Sequence, residues 1–557
     1  MKTDLLNKGI QALAIGAWEE ARESLERALQ SEESAEVLEH LAWACWWLND
    51  CPAVFQYRSR AYSLFLEKND RLGASRTASW LGLDYLEMNG EFAIANGWFQ
   101  RAENLLDGMG DSWELGHVKL LKANLSFRID KDVDRALQLI EETLILSKAM
   151  DKIEVRMMAE ALKGFILVTE GRVSEGMVLL DEASVLALSA EAKDIKLITT
   201  ACCFLIDACD RVRDYERAGQ WCGKVKEICK RWRHRVVFAT CRNQYAGVLI
   251  WNGAWMEAEA ELLAASEELT KFRPQMTGGS VVRLADLRRR QGRWEEAAQL
   301  FDNVRSHSLK PLGCAWLLFD QGEYVPAFNI AERYLRQIPE HEKTERIAGV
   351  ELMLNICAQL GRIDQAEAFL QELKEISSIV QTPPLIAAYL NAQGIVNLAT
   401  ERYIEAKENF EDAIDLYDKI ISPFESGRAR LQLSEALVRL GQMAQAESEL
   451  YKAMEMFKLL GAAKDTEKTK NRIRNLSKSD AADAMPKEVS GFTGRELEVL
   501  RSIAEGLTNE EIAARLFLSV RTVEKHITNI YQKLGISGKS ARAFAASYAI
   551  KKKLVLT

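Results

Sequence analysis

The sequence predicts an all-α protein: a right-handed superhelical solenoid of about twelve helical hairpins followed by a small four-helix domain. Three features point to it. A short pattern, Gly-x-aromatic-x-x-Ala, recurs through the first 476 residues at intervals that are mostly 39 to 42. Between its copies apolar residues continue at helical spacing, as in Ala297-Ala298-x-Leu300-Phe301. Close to the carboxyl end, two capping sequences and one sharply two-faced segment mark short helices of a different kind.

The repeat is clearest at Gly16-x-Trp18-x-x-Ala21, Gly90-x-Phe92-x-x-Ala95, Gly253-x-Trp255-x-x-Ala258, Gly292-x-Trp294-x-x-Ala297 and Gly322-x-Tyr324-x-x-Ala327. Looser copies end at Val54, Ala136, Gly176, Ala218, Ala366, Ala406 and Ala446. Each position has a physical role. Gly ends the first helix of a pair in a left-handed conformation. The aromatic fills the notch where the chain reverses, and the small residue lets the second helix approach the first. A single pair cannot bury its apolar face alone, so pairs stack. The interval from Ala297 to Ala327 is only 30 and contains His307-Ser308-Leu309-Lys310-Pro311, a run of turn formers that reads as a short repeat or a bend.

Composition narrows the class. With 48% apolar and 28% charged residues the chain can build an extended core and does not resemble a membrane protein. No run of eighteen apolar residues is present, and the start, Met1-Lys2-Thr3-Asp4, leads into an amphipathic helix, so a cytoplasmic address is expected. The net charge of −8 is unevenly spread. Residues 488–557 hold 11 basic and 7 acidic residues, whereas the remainder holds 62 and 74. A basic tail on an acidic body suits a nucleic-acid module joined to a part that stays off the polyanion. The ten cysteines form no CxxC pair and read as small buried hydrophobes, with a redox or metal role for the group Cys202–Cys241 as the alternative.

Apolar periodicity fades after residue 464, which places the solenoid at 1–476, a linker at 477–489 and the last domain at 490–557. There, Thr493-Gly494-Arg495-Glu496 is a capping box opening a helix with Leu497, Leu500 and Ile503 inward, and Gly506 ends it. A second box, Thr508-Asn509-Glu510-Glu511, opens a shorter helix; Phe517-Leu518 turn, and Ser519 caps the next. That next helix lines up Val523, Ile527, Ile530 and Leu534 on one side, and Arg521, Glu524, Lys525, Thr528, Asn529 and Lys533 on the other. A helix greasy on one side and donor-rich on the other, second in a helix–turn–helix pair, can lie in a DNA major groove. A last helix, about Ser540 to Lys552, closes the bundle.

The order Thr493-x-Arg495-Glu496-x-Glu498-Val499-Leu500, Gly506-x-Thr508-Asn509-x-Glu511-Ile512-Ala513, Leu516-x-x-Ser519, Thr522-Val523-x-x-His526, Ile530-Tyr531-x-Lys533-Leu534-Gly535 resembles the LuxR-type DNA-binding domain. The resemblance implies a reading helix over 520–534 with Glu524, Lys525 and Thr528 at base edges. It places Arg521, Asn529, Lys533, Lys539, Thr508 and His526 against phosphates, where contacts position the domain without reading sequence. For His526 a helix-packing role competes. Two departures stand out: Gly494 where the family usually carries Pro, and Glu524 where many members carry Lys. The forty-residue units resemble the tetratricopeptide class, in longer form than its usual repeat. Similar arrays precede LuxR-type domains in large ATP-dependent activators of the maltose-regulon type, whose upstream ATPase module this sequence lacks.

No enzyme chemistry is legible. Gly535-Ile536-Ser537-Gly538-Lys539-Ser540 has only two residues between its glycines, where a phosphate-binding loop needs four. The six histidines show no metal spacing, and no nucleophile elbow or dinucleotide fingerprint occurs, so no metal, cofactor or catalytic residue is expected. All thirteen tryptophans precede residue 317. Trp43, Trp47 and Trp80 form an aromatic group that either packs the core or lines a concave effector-binding face. The expected protein is a transcription regulator that binds double-stranded DNA as a homodimer, contacts RNA polymerase, and receives a protein, peptide or small-molecule effector on its solenoid. The alternative is a helical-repeat scaffold acting mainly through protein–protein interaction.

Overall fold

The computed structural model describes residues 2–189, 191–231, 235–305, 307–483, 492–538 and 540–551. Among them every regular element is helical. The hairpins are α1 (Lys2–Ala14) with α2 (Trp18–Ser31), α3 (Ala35–Trp47) with α4 (Cys51–Glu67), α5 (Arg71–Asp84) with α6 (Phe92–Leu106), and α7 (Trp113–Leu125) with α8 (Val133–Ala149). There follow α9 (Ile153–Thr169) with α10 (Val173–Leu188), α11 (Ile195–Arg211) with α12 (Tyr215–Arg231), α13 (Arg235–Trp251) with α14 (Trp255–Phe272), and α15 (Thr277–Arg290) with α16 (Trp294–Asn303). The last four are α17 (Lys310–Asp320) with α18 (Tyr324–Arg336), α19 (Lys343–Gln359) with α20 (Ile363–Val380), α21 (Pro383–Ala399) with α22 (Tyr403–Lys419), and α23 (Pro423–Arg439) with α24 (Met443–Leu460). A single helix, α25 (Ala463–Asp483), comes next.

The chain divides into two compact units, Met1–Thr469 and Lys470–Thr557. α25 runs past the expected end of the solenoid at 476 to Asp483, so the first half of the expected linker at 477–489 is helical. The rest of that linker, 484–489, lies outside the described residues, as do 490 and 491.

All twelve hairpin turns place one residue at positive φ. It is glycine in eight of them, and Asn49, Lys131, Arg213 and Glu401 in the other four. The turn therefore demands a left-handed backbone rather than glycine itself, which explains four of the seven looser repeats. Three residues into the second helix sits the small residue of the pattern: Ala21, Ala95, Ala136, Ala258, Ala297, Ala327, Ala366, Ala406 and Ala446 are all fully buried. The aromatic position is less uniform. Trp18 and Trp255 fill the notch as expected, but Phe92 is 48% exposed.

A further packing rule appears between the helices. A Cβ built on Gly82, Gly313, Gly394 or Gly427 would lie within 2.8 Å of the ring of Phe99, Phe301, Phe410 or Phe457 respectively. Each glycine is thus the floor on which a buried phenylalanine of the neighbouring helix rests. The shortened interval at 297–327 arises from two short helices, α16 and α17, joined by a turn in which Lys310 Nζ donates to the Val304 carbonyl at 2.8 Å.

Successive turns of the solenoid touch in a regular register. The Val168 carbonyl at the end of α9 accepts from Thr344 Oγ1 at 3.1 Å, and the Val212 carbonyl after α11 accepts from Thr382 Oγ1 at 2.6 Å. Gly253, after α13, lies against Pro423, and the Gln291 carbonyl after α15 accepts from the Ala463 amide at 3.2 Å. Carbonyl ends of α9, α11, α13 and α15 therefore meet the amino ends of α19, α21, α23 and α25, five hairpins further on. Opposed helix ends of this kind attract. Ion pairs reinforce the seam, including Arg211 with Glu345, Arg213 with Glu351, and Arg290 with Glu425.

Candidate nucleic-acid interface

The second unit carries α26 (Gly494–Ala504), α27 (Asn509–Leu516), α28 (Val520–Leu534) and α29 (Ala541–Lys551). Both capping boxes form. The Glu496 amide donates to Thr493 Oγ1 while the Thr493 amide donates back to Glu496 Oε2 at 2.7 Å. Thr508 and Glu511 repeat the exchange. Ser519 Oγ accepts from the Thr522 amide at 3.1 Å and starts α28. Between α27 and α28, Phe517 takes a left-handed conformation, φ +54°, and stands 94% exposed.

Val523, Ile527 and Ile530 of α28 are buried against Val499, Leu500 and Ile503 of α26, Ile512 and Ala513 of α27, and Ala545 and Ala549 of α29. That burial settles which side of α28 faces out. Arg521, Glu524, Lys525, Thr528 and Gln532 form one exposed stripe. Among the described residues Arg521, Glu524 and Lys525 enter no ion pair. The Thr528 hydroxyl donates to the Glu524 carbonyl at 2.8 Å, so it turns a methyl and an acceptor oxygen outward. Asn529 and His526 are half-buried on the flanks of the stripe. Thr508 is exposed at the amino end of α27, where its hydroxyl accepts the Glu511 amide.

One expectation changes. Lys533, assigned to a phosphate, instead places Nζ 2.5 Å from Glu496 Oε2. The Glu496 side chain is 4% exposed and Lys533 37%, so the ammonium lies at the surface as the counter-ion of a buried capping carboxylate. Burial raises that carboxyl's proton affinity, but Lys533 and the Thr493 amide and hydroxyl outweigh it and keep the group below its ordinary range. Lys539 lies outside the described residues. Gln532 on the exposed stripe was overlooked; it is legible as the residue one turn beyond Thr528. Arg542 was also missed, and no local pattern marks it. It donates to Asn509 Oδ1 at 2.8 Å and to the Leu507 carbonyl at 2.5 Å, tying α29 to the amino end of α27.

The tryptophan group is core and not an open face. Trp47 and Trp80 are buried, and Trp43 packs against the same cluster. Trp43 and Trp80 meet edge to face at 4.7 Å, and the Arg58 guanidinium sits 4.3 Å over Trp43. Arg58 is itself paired with Asp84 at 2.8 Å, both almost fully buried. Aromatics enclosing a desolvated ion pair leave no room for a ligand there. Among the described residues no cluster of metal-binding side chains occurs, and no helix is long and apolar enough to cross a membrane.

A four-helix core, a tight turn between two capped helices and an exposed polar stripe on the second define a helix-turn-helix domain of the DNA-binding class. Residues 490–546 match the luxR family of bacterial regulatory proteins, and 280–311 match a tetratricopeptide repeat. The C-terminal domain is a LuxR-type helix-turn-helix domain, and tetratricopeptide-like repeats precede it. The chain is 40% identical over 95 residues, 17% of its length, to the transcriptional regulatory protein LiaR of Bacillus subtilis, of which 43% is covered. It is 52% identical over 83 residues, 15% of its length, to the oxygen regulatory protein NreC of Staphylococcus aureus, of which 36% is covered. The chain thus spans less than half the length of these curated relatives. A crystal structure of the Cut9–Hcn1 hetero-tetramer aligns over 99% of this chain and 96% of its own at 15% identity, with a TM-score of 0.46.

Proposed function

We propose that the protein is a transcription regulator whose α28 enters the major groove, with Glu524, Lys525 and Thr528 at base edges. Arg521, Asn529, His526 and Thr508 flank this stripe and face phosphates. The observation that carries the reading is the exposed row from Arg521 to Gln532, free of internal ion pairs and backed by a buried apolar row on the same helix. A single module of this size makes few phosphate contacts, so binding as a homodimer to paired half-sites is part of the proposal. Phe544, 56% exposed on α29, offers apolar surface for a second copy. The repeat array receives an effector and governs when the domain engages DNA and RNA polymerase.

The test is recovery of bound sequences from random duplexes by the full chain, followed by titration of the recovered site. Lys525→Ala should weaken the specific site by about 1–3 kcal/mol and relax the preference at one base position. Arg521→Ala should lower the slope of log affinity against log salt by about 0.9 without changing preference. A scaffold acting only through protein partners remains the second reading because Glu524 puts a carboxylate on the reading stripe. Failure to enrich any sequence, with DNA retained only weakly and uniformly, decides for it.

A further inference from the structure

Glu524 is the only carboxylate on α28, and it is exposed without a counter-ion among the described residues. On a helix, side chains three or four residues apart are neighbours, which for Glu524 means Val520, Arg521, Ile527 and Thr528. Val520 and Ile527 are apolar, and Arg521 enters no ion pair. The Thr528 hydroxyl gives its proton to the Glu524 backbone carbonyl at 2.8 Å and so does not donate to the carboxylate. Lys525 leaves the helix about 100° further round and faces elsewhere. Other carboxylates of the domain are held: Glu496 by Lys533, Glu498 by Arg495, Glu505 by Arg515 and Glu511 by the Thr508 amide.

A free carboxylate carried into a groove meets a polyanion with one charge per about 1.7 Å of axis. It also gives up its water, a loss that only a new hydrogen-bond donor offsets. In the major groove the base donors are the amino groups of cytosine and adenine, whereas guanine and thymine turn only acceptors or a methyl toward the protein. The two amino groups differ in their surroundings. Adenine N6 lies between two acceptors, its own N7 and the O4 of the paired thymine. Cytosine N4 has the guanine O6 on one side and only a C–H on the other. A carboxylate has two oxygens and no proton to give, so the adenine N7 repels it and cytosine suits it best. Of the two hydrogens on cytosine N4, one pairs with guanine and the other points into the groove. A methyl group on N4 of a paired cytosine replaces that second hydrogen.

We infer that Glu524 makes one base pair of each half-site a required cytosine, and that a methyl group on N4 of that cytosine releases the protein from DNA. This rests on reading α28 as the helix that enters the groove. The carboxylate adds little affinity of its own, because its bond to the amino group is set against repulsion from the phosphates. Its effect is to penalise every base that offers no donor. A cytosine methylated on N4 has lost the donor that faces the groove, so the domain reads it as a wrong base.

Duplexes recovered by the full chain from a random pool supply the site, and titration of its single-base variants measures the preference at each position. One position of each half-site should hold cytosine, at least about five-fold over each other base. Glu524→Gln replaces an exposed group without an internal partner, so helicity by circular dichroism should stay that of the parent. This variant should lose the cytosine preference at that position and keep the preferences elsewhere. A duplex with N4-methylcytosine there should bind the parent at least about five-fold more weakly than the unmodified site. The same methyl group should matter less to Glu524→Gln. A recovered site whose base preferences Glu524→Gln leaves unchanged, or one that binds equally well with N4-methylcytosine at the required position, overturns this inference and leaves the regulator reading standing. Failure to recover any sequence overturns both.

Discussion

Replacing Lys533 by Met separates two roles that a lysine on this helix can have. A phosphate-binding lysine adds about 0.9 to the salt slope of DNA binding and nothing to stability. The structure gives Lys533 the other role: its ammonium lies 2.5 Å from Glu496, whose side chain is 4% exposed and also holds the first turn of α26 through the capping box. Removing one partner of a fully buried pair costs about 3–5 kcal/mol, whereas exposed pairs contribute at most about 1. With Lys533 37% exposed and Glu496 retaining its bond from the Thr493 amide, the expected loss lies between these, about 1–2 kcal/mol. Hydrogen exchange read on the amides of α26 measures it locally, and a salt titration of DNA binding measures the other role. A shallower salt slope with unchanged protection of α26 would refute the reasoning.

Four further outcomes are expected. Gly394→Ala places a methyl 2.6 Å from the fully buried Phe410 ring, and overpacking of about 1–3 kcal/mol should exceed the gain of about 1 kcal/mol in helix propensity. Gly97→Ala, at an exposed position of α6 with nothing within 4 Å, should instead stabilise the array, so urea midpoints of the two variants move in opposite directions. Arg58→Met strands the buried Asp84 carboxylate and should cost about 3–5 kcal/mol, most of it recovered in the double variant Arg58→Met/Asp84→Asn when unfolding is followed by calorimetry. Glu496 and Glu511 are both held below the ordinary carboxyl range in the folded domain, Glu496 by Lys533 and Thr493 against its burial, Glu511 by the Thr508 amide and hydroxyl. The unfolded chain then binds more protons, so protection of α26 and α27 should be full above about pH 4.5 and fall as acid passes below it.

Much of the architecture was written in local patterns. A left-handed turn residue, a helix start and a small contact residue all lie within six positions of each other, so each hairpin announces itself in a short window. Repeats whose turn uses Asn49, Lys131, Arg213 or Glu401 were harder to see because the conformation is shared but the residue is not. The capping boxes and the two faces of α28 were legible for the same reason: they depend on contacts three or four residues apart.

Pairings between distant segments were not legible. Lys533 looked like any cation on a polar face until α26 brought Glu496 beneath it, 37 positions away in sequence. Whether Trp43, Trp47 and Trp80 pack the core or line a face was open in the sequence, and the stacking of neighbouring hairpins enclosed them around Arg58 and Asp84. A cavity in the array is lined by residues from Trp46 to Arg305, which only its winding brings together. Helix starts, stops and faces follow from local hydrogen bonding and periodicity, so they belong to the chain as written. Which charges are neutralised, which aromatics are covered and where space remains depend on the burial of groups far apart along the chain, and only the folded protein decides them.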